Sequence, residues 1–224
     1  FAKAANREAV AGYGQAILRA FTEVESALAV ERDLAVREAH VGIAPAVVMR
    51  VSFSGELAYE IHVPNQSLMA AYTALRNAGE AHGMSFFGSR AVEAMRLEMG
   101  FMHWKSELIT EFSPYETGLE RFVTMDKAFI GKEALIAHEP KVQLVSLTLE
   151  TKEAPAHSGA SVMLDGRVVG TVTTGASGHR VGANIALAFV ERGLAKEGQS
   201  LSVDVLGKVV QATVAPMRRL EGAH

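Results

Sequence analysis

The sequence predicts an α+β protein with an all-β C-terminal part, and three observations predict it. Residues 3–39 repeat apolar side chains at helical spacing, residues 43–140 mix β-rich runs with helical ones, and from Val142 onward only short β-rich runs follow. The chain has 224 residues, 49% hydrophobic and 21% charged, enough to bury a core in one large domain or two small ones. A net charge of -3 excludes a broadly basic nucleic-acid binder. The absence of cysteine excludes a disulfide scaffold, a thiolate zinc site and a cysteine nucleophile. No apolar run reaches the roughly 18 residues of a membrane span. The N-terminus lacks the basic and apolar regions of a signal peptide. The expectation is a cytoplasmic protein with no nucleic-acid and no membrane partner. The chain opens on Phe1 rather than Met, as expected of a piece of a longer protein.

Each element has its own pattern. In residues 3–39, Val10, Tyr13, Ile17, Phe21, Val24 and Leu28 recur at spacings of three and four, an amphipathic stripe with a coiled-coil flavour. Gly12 and Gly14 each weaken that helix by roughly 1 kcal/mol relative to Ala. The helix is expected to end near His40 and Gly42, before Pro45. Ala46–Phe53 is β-branched, Ser54-Gly55-Glu56 is a turn, and Leu57–Val63 alternates, so the three read as a β-hairpin closed by Pro64. Gln66–His82 is helical with Leu68, Met69, Tyr72 and Leu75 on one face, and Gly83 is its C-cap. Ser89–Met99 is a second helix. Gly100–Gly118 is an aromatic loop, and Phe129–His138 is a turn and short helix ahead of Pro140.

The C-terminal runs are Val142–Leu149, Ser161–Leu164, Val168–Thr174, Ile185–Val190, Ser200–Val205 and Val209–Val214. Asp165-Gly166 is a strong hairpin turn and Leu206-Gly207 a weaker one. Short strands at this spacing predict a small barrel or sandwich. The glycine-rich stretch Thr174–Arg180 reads as a tight loop between two strands, because a phosphate cradle usually has a helix N-terminus behind it.

Candidate chemistry is sparse. The eight histidines do not cluster as metal ligands, and no phosphate loop, dinucleotide fingerprint or nucleophile elbow is present. Glu60, in a strand beside apolar neighbours, could accept parallel N–H bonds from a planar heterocycle such as an aminopyrimidine edge. By alternation with Tyr59 and Ile61 it could equally point to solvent, and pattern alone favours solvent. Arg90 and Arg96 offer forks for a ligand carboxylate, or surface pairs with Glu93 or Glu98. Trp104, the single tryptophan, could stack on a ring or plug the core. Glu107, Glu111 and Glu116 have no spacing that marks an acid–base pair, and exposure is their default.

The stretches V-M-R-V-S-F-S-G-E-L-A-Y-E-I-H-V-P (48–64), G-S-R-A-V-E-A-M-R-L-E-M-G-F (88–101), S-P-Y-E-T-G-L-E-R-F-V (113–123) and F-I-G-K-E-A-L (129–135) occur in that order. Through them, residues 47–138 resemble the folate-binding domain of the glycine-cleavage T-protein (aminomethyltransferase) superfamily. Residues 142–219, with T-T-G-A-S-G-H-R-V-G-A-N-I-A-L-A-F-V at 173–190, are similar to that family's C-terminal β-barrel. H-W-K-S-E-L-I-T-E-F-S-P-Y-E-T-G-L (103–119) resembles the version fused to FAD-dependent sarcosine or dimethylglycine dehydrogenases. The resemblance implies tetrahydrofolate-dependent one-carbon transfer, in which an aminomethyl carbon passes to tetrahydrofolate. It implies folate and a small methylated amine or aminomethyl donor as partners, with FAD only if a domain upstream supplies it. It places Phe53 near the folate, Glu60 on the pterin edge, Arg90 near the ligand's polar tail and Trp104 in the pocket loop. Glu60 thereby moves from solvent to ligand.

The family's catalytic aspartate precedes the hairpin, in a half of the domain that this reading finds absent. No catalytic residue is therefore assigned, and the chain alone is expected to lack full activity. Residues 10–35 instead resemble a periplasmic helix of outer-membrane efflux proteins, with Tyr13, Leu18, Ala20, Phe21, Glu23, Val24, Glu25, Ala27 and Leu28 matching. The expected division is 1–42, an added amphipathic helix, 43–140, a partial folate domain, and 141–224, the barrel. The alternative is a non-catalytic folate-binding module, or one that forms oligomers through the N-terminal helix.

Overall fold

A computed structural model describes residues 36–41 and 44–220, and for 36–39 the backbone only. The described chain divides into two compact units, residues 36–41, 44–52 and 57–87 in the first, and 53–56 and 88–220 in the second.

The first unit holds a three-stranded antiparallel sheet in the order β1 (Val36–Val41), β2 (Ala44–Met49), β3 (Glu60–His62). The helix expected over 3–39 lies outside the described residues except at 36–39, where the chain is strand. There Val36 pairs with Met49 and Val41 with Ala44. The last turn of a helix leaves carbonyls unpaired, and a ladder with β2 supplies partners along the whole segment. In β2, Ala44 and Ala46 are buried while Pro45 and Val47 are exposed, the alternation of a one-sided sheet. The expected hairpin is present with a shorter ladder, Met49 opposite Glu60 and Val47 opposite His62. Its tip, Phe53–Glu56, belongs to the second unit.

A short 3-10 turn after Pro64 leads into helix α1 (Leu68–Glu80). Gly83 adopts φ +69° just past its end, and the Met84 N–H bonds back to the Gly79 carbonyl at 3.0 Å. Ala71 is the buried residue of α1, whereas Leu68, Met69, Tyr72 and Leu75 are exposed. Tyr72 stacks on Phe86 with centroids 5.8 Å apart.

The second unit is built on a closed barrel of antiparallel strands in the order β4-β7-β6-β5-β8-β9. The strands are β4 (Val142–Leu149), β5 (Ser161–Leu164), β6 (Arg167–Gly178), β7 (Ala183–Glu191), β8 (Ser200–Val205) and β9 (Lys208–Ala215). Both predicted hairpin turns have positive φ at their two central residues, as the right-handed twist of the flanking strands requires. The glycine-rich stretch is strand rather than loop as far as Gly178. A side chain at Gly175 would collide with the Ala156 carbonyl oxygen, so glycine here admits a neighbouring backbone rather than a turn.

Val145, Leu147, Val162, Val172, Ala186, Ala188, Val190, Leu201, Val203 and Val214 fill the barrel interior. β7 is buried at each position from Asn184 to Val190 because both its faces are covered. Its outward residues Ile185, Leu187 and Phe189 form a second core with Leu97 and Leu144, joined by Met102 and Phe112. Leu97 comes from helix α2 (Ser89–Glu98), and Phe112 stacks on Phe189 with centroids 3.6 Å apart. This outer core seats α2 and the aromatic loop on the barrel wall.

Helix α2 ends in a left-handed glycine cap. Gly100 has φ +71°, its N–H bonds to the Leu97 carbonyl at 3.1 Å, and the Phe101 N–H bonds to the Arg96 carbonyl at 2.9 Å. A Cβ at Gly100 would stand 2.5 Å from the Met217 carbonyl oxygen, so this position excludes a side chain twice over. Helix α3 (Lys132–Ala137) completes the second unit ahead of β4. Among the described residues no helix is long and apolar enough to cross a membrane.

Candidate functional site

Arg96, expected as a fork for a ligand or in a surface pair with Glu93 or Glu98, and Glu107, expected exposed, are both fully buried. Helical spacing sets Glu93 one turn before Arg96, and its Oε1 accepts from Arg96 Nε at 3.0 Å and from Nη2. Arg96 Nη1 donates to the Phe101 carbonyl at 2.8 Å and to Glu107 Oε2 at 3.2 Å, and Nη2 donates to Thr174 Oγ1 at 3.0 Å. These contacts use every N–H of the guanidinium.

Glu107 is equally saturated. Oε2 also accepts from the His103 N–H at 2.8 Å, while Oε1 accepts from Thr173 Oγ1 at 2.6 Å and Thr174 Oγ1 at 2.8 Å. Neighbouring side chains of a regular strand point to opposite faces. Thr173 and Thr174 reach one oxygen because the β6–β7 register shifts between Val172 and Thr174, a β-bulge. Such a pair is costly to desolvate, and full hydrogen bonding on both partners is what makes its burial tolerable.

A second buried carboxylate, Glu98, accepts from the Arg180 N–H at 2.6 Å, the Val181 N–H at 3.2 Å and Arg180 Nε at 2.6 Å. Arg180 also pairs with Glu56 in the turn Phe53–Glu56. Burial pulls the Arg180 guanidinium down, but the Glu98 and Glu56 carboxylates more than offset this and its proton is held more tightly than usual. Glu116 is buried as well. Its burial opposes ionisation, yet hydrogen bonds from the Ser113 N–H and hydroxyl, His138 and the Lys141 N–H outweigh it and hold the carboxyl below its ordinary range.

The sequence-predicted ligand residues fall as follows. Phe53 lies 5.7 Å, centroid to centroid, from the His103 ring, and the Arg96 guanidinium is 5.8 Å from its ring centroid. Trp104 is 74% exposed and forms an isolated bridge with Leu108. The structure thus brings Phe53 and the Trp104-bearing loop together around Arg96. Arg90 is exposed in the first turn of α2 and makes no ion pair with any described residue. Glu60 opens β3 in the first unit, half exposed, with Oε2 3.2 Å from His62 Nε2. Arg96, Glu107, Thr173 and Thr174 are the residues that pattern reading missed as a group. The adjacent threonines were the one available signal, and it acquires meaning only with the bulge.

Two families match the chain in order. "GCVT N-terminal domain" covers residues 10–127, and "Glycine cleavage T-protein C-terminal barrel domain" covers residues 143–219. The first match begins inside the segment likened above to efflux proteins. Human mitochondrial dimethylglycine dehydrogenase is 37% identical over 175 residues, 76% of this chain and 20% of that protein. An aminomethyltransferase of Saccharopolyspora erythraea is 32% identical over 179 residues, 78% of this chain and 49% of that protein. The chain therefore spans a fifth to a half of the length of these relatives. The crystal structure of the glycine cleavage system aminomethyltransferase T from Bartonella henselae shares the fold, with a TM-score of 0.70 at 24% identity, over 79% of this chain and 50% of that one.

Proposed function

Because the chain belongs to the glycine-cleavage T-protein family, we propose that it serves tetrahydrofolate-dependent one-carbon transfer, taking the carbon from a small methylated amine or aminomethyl donor. The observation that carries this reading is the ordered pair of family matches, 10–127 followed by 143–219. On the same reading residues 141–224 form the barrel part; a cut at 42/43, expected from the helical stripe, would fall inside both the family match over 10–127 and the β1–β2 pair.

The residues present suit folate in their chemistry. Glu60 keeps a carboxylate oxygen beyond its His62 contact, an acceptor for the N–H edge of a pterin. Arg90, free of ion pairs with described residues, suits the carboxylates of a glutamate tail. The exposed indole of Trp104 and the ring of Phe53 offer faces for stacking. Tetrahydrofolate, when bound, supplies the nitrogen nucleophiles that receive the one-carbon unit. Each residue offers its own kind of contact: a carboxylate for an N–H edge, a guanidinium for a carboxylate, and ring faces for stacking. FAD is assigned to no residue here, since the sequence carries no G-x-G-x-x-G loop.

Calorimetry of tetrahydrofolate against the full chain and against Glu60→Gln tests the proposal. The expected result is binding by the parent chain and at least a ~10-fold weaker Kd for the variant, the scale of one charge-assisted hydrogen bond. Equal affinities would remove Glu60 from the pterin edge. No binding by the parent chain would overturn the functional reading itself.

A further inference from the structure

We infer that the buried Arg96–Glu107 pair, locked by the hydroxyls of Thr173 and Thr174, is the positioning device for the loop over residues 101–108. By holding that loop it sets the attitude of His103 and Trp104, together with Phe53, toward a planar heterocyclic ligand. The ligand's identity rests on the function proposed above; the positioning itself does not.

The argument starts from what the loop lacks. Met102 packs on the outer core, but Phe101 is 37% exposed and Trp104 74% exposed, so apolar burial anchors the loop at its entrance and does not fix the part that carries Trp104. Lys105 has φ +72°, a left-handed conformation that an L side chain adopts only when its surroundings impose it. The turn winds around one atom: the N–H groups of Ser106, Glu107 and Leu108 all point at the His103 carbonyl, at 3.3, 3.1 and 3.2 Å. The Glu107 carboxylate then folds back onto the His103 N–H at 2.8 Å. Residue 103 is thus held through both its backbone polar groups, and Trp104 is the next residue along.

Glu107 transmits this hold to two rigid supports. One is α2, through Arg96, whose guanidinium also takes the Phe101 carbonyl at the loop's entrance. The other is the barrel wall, through the bulged Thr173 and Thr174 of β6. Thr173 Oγ1 has one proton and two acceptors in reach, Glu107 Oε1 at 2.6 Å and the Leu187 carbonyl of β7 at 3.1 Å, and the shorter contact to the carboxylate takes it. Arg96 is also the cation beside Phe53. With every N–H engaged the guanidinium cannot turn, so the plane that faces Phe53 is fixed. One buried pair therefore governs two exposed aromatic side chains on different segments. An apolar pair of similar volume would serve the core at least as well. What it could not do is seize a carbonyl, an N–H and two hydroxyls at once. That is the role of a second layer of contacts beneath a ligand-facing surface.

Trp104 is the chain's single tryptophan, so its fluorescence reports the loop without interference. The experiment compares the full chain with Glu107→Gln, Thr173→Val, Thr174→Val and the conservative Thr174→Ser. Barrel integrity is read by far-UV circular dichroism. Time-resolved anisotropy of Trp104 reads loop order, and fluorescence quenching by tetrahydrofolate reads binding. The expected result is a folded barrel with lower residual anisotropy of Trp104 in both valine variants, a larger fall in Glu107→Gln, and near-parent behaviour in Thr174→Ser. The tetrahydrofolate Kd is expected to rise about 10-fold or more in step with the loss of order. Parent-like anisotropy in folded Thr173→Val and Thr174→Val would overturn the inference, and these two variants decide the matter if Glu107→Gln does not fold. A parent chain that fails to bind tetrahydrofolate sinks the functional reading alone, because the anisotropy comparison still tests the positioning.

Discussion

Leu206 shows what a single residue can be asked to tolerate. It occupies a central position of the β8–β9 turn with φ +54°, and its side chain is 73% exposed. The equivalent place in the β5–β6 turn belongs to Asp165 at φ +51°, a residue type that accepts the left-handed region more readily. Leu206→Asn is expected to raise stability by about 1 kcal/mol, the scale of the left-handed penalty for an ordinary L residue. A urea titration measures it, and an unchanged or lower midpoint would show that the leucine is not strained. The site residues teach a related lesson about legibility. Glu60, Phe53, Arg90 and Trp104 could be named because ordered motifs carry them. Arg96 and Glu107 could not be told from surface charges, because a charged side chain is exposed unless some partner is waiting for it. Their partners lie far along the chain, on β6, and depend on a bulge that no residue type announces.

The joint between α3 and β4 shows how one carboxylate ties elements together. Glu116 accepts from Ser113 N–H and Oγ, both at 2.9 Å, from His138 Nε2 at 3.0 Å and from the Lys141 N–H at 3.3 Å, joining the loop, the end of α3 and the approach to β4. Its native pKa lies below the ordinary value of 4.5, so its contribution to stability is complete above that pH and is lost as the pH falls through the lower, native value. Glu116→Gln is expected to cost about 2 kcal/mol at pH 7, the scale of hydrogen bonds to a charged group. The gap between variant and parent should narrow below pH 4.5. Urea midpoints at pH 7 and pH 3 check this, and a gap independent of pH would remove the ionised carboxylate from the account. Most elements were legible from periodicity and turn residues. The barrel strands begin and end near their expected bounds because Asp165-Gly166 and Leu206-Gly207 punctuate them. Two elements were not. β1 displaced the end of a helical stripe because pairing with β2 is a long-range interaction. β6 ran on through Gly175 because close backbone approach and turn formation demand the same residue.

At the scale of the molecule the two units differ in how they satisfy their backbones. The barrel has no edge strand, whereas among the described residues the first unit's sheet has three strands and β3 is only three residues long. Native-state hydrogen exchange should therefore find the slowest amides in β4 and β7, opening only with the whole barrel, and faster exchange in β2 and β3. Equal protection in both units would show that they unfold together. The barrel was readable as a class from strand spacing, but the order β4-β7-β6-β5-β8-β9 was not, since spacing does not say which strands meet. Closure is made by the first and last strands, with Leu147 opposite Val214 and Leu149 opposite Ala212. On a ribosome, the chain must therefore wait. β4 leaves the exit tunnel before the other five strands, and one of its two ladders has no partner until β9 follows. No shorter nascent chain can complete the cylinder, so closure waits until β9 has emerged as well.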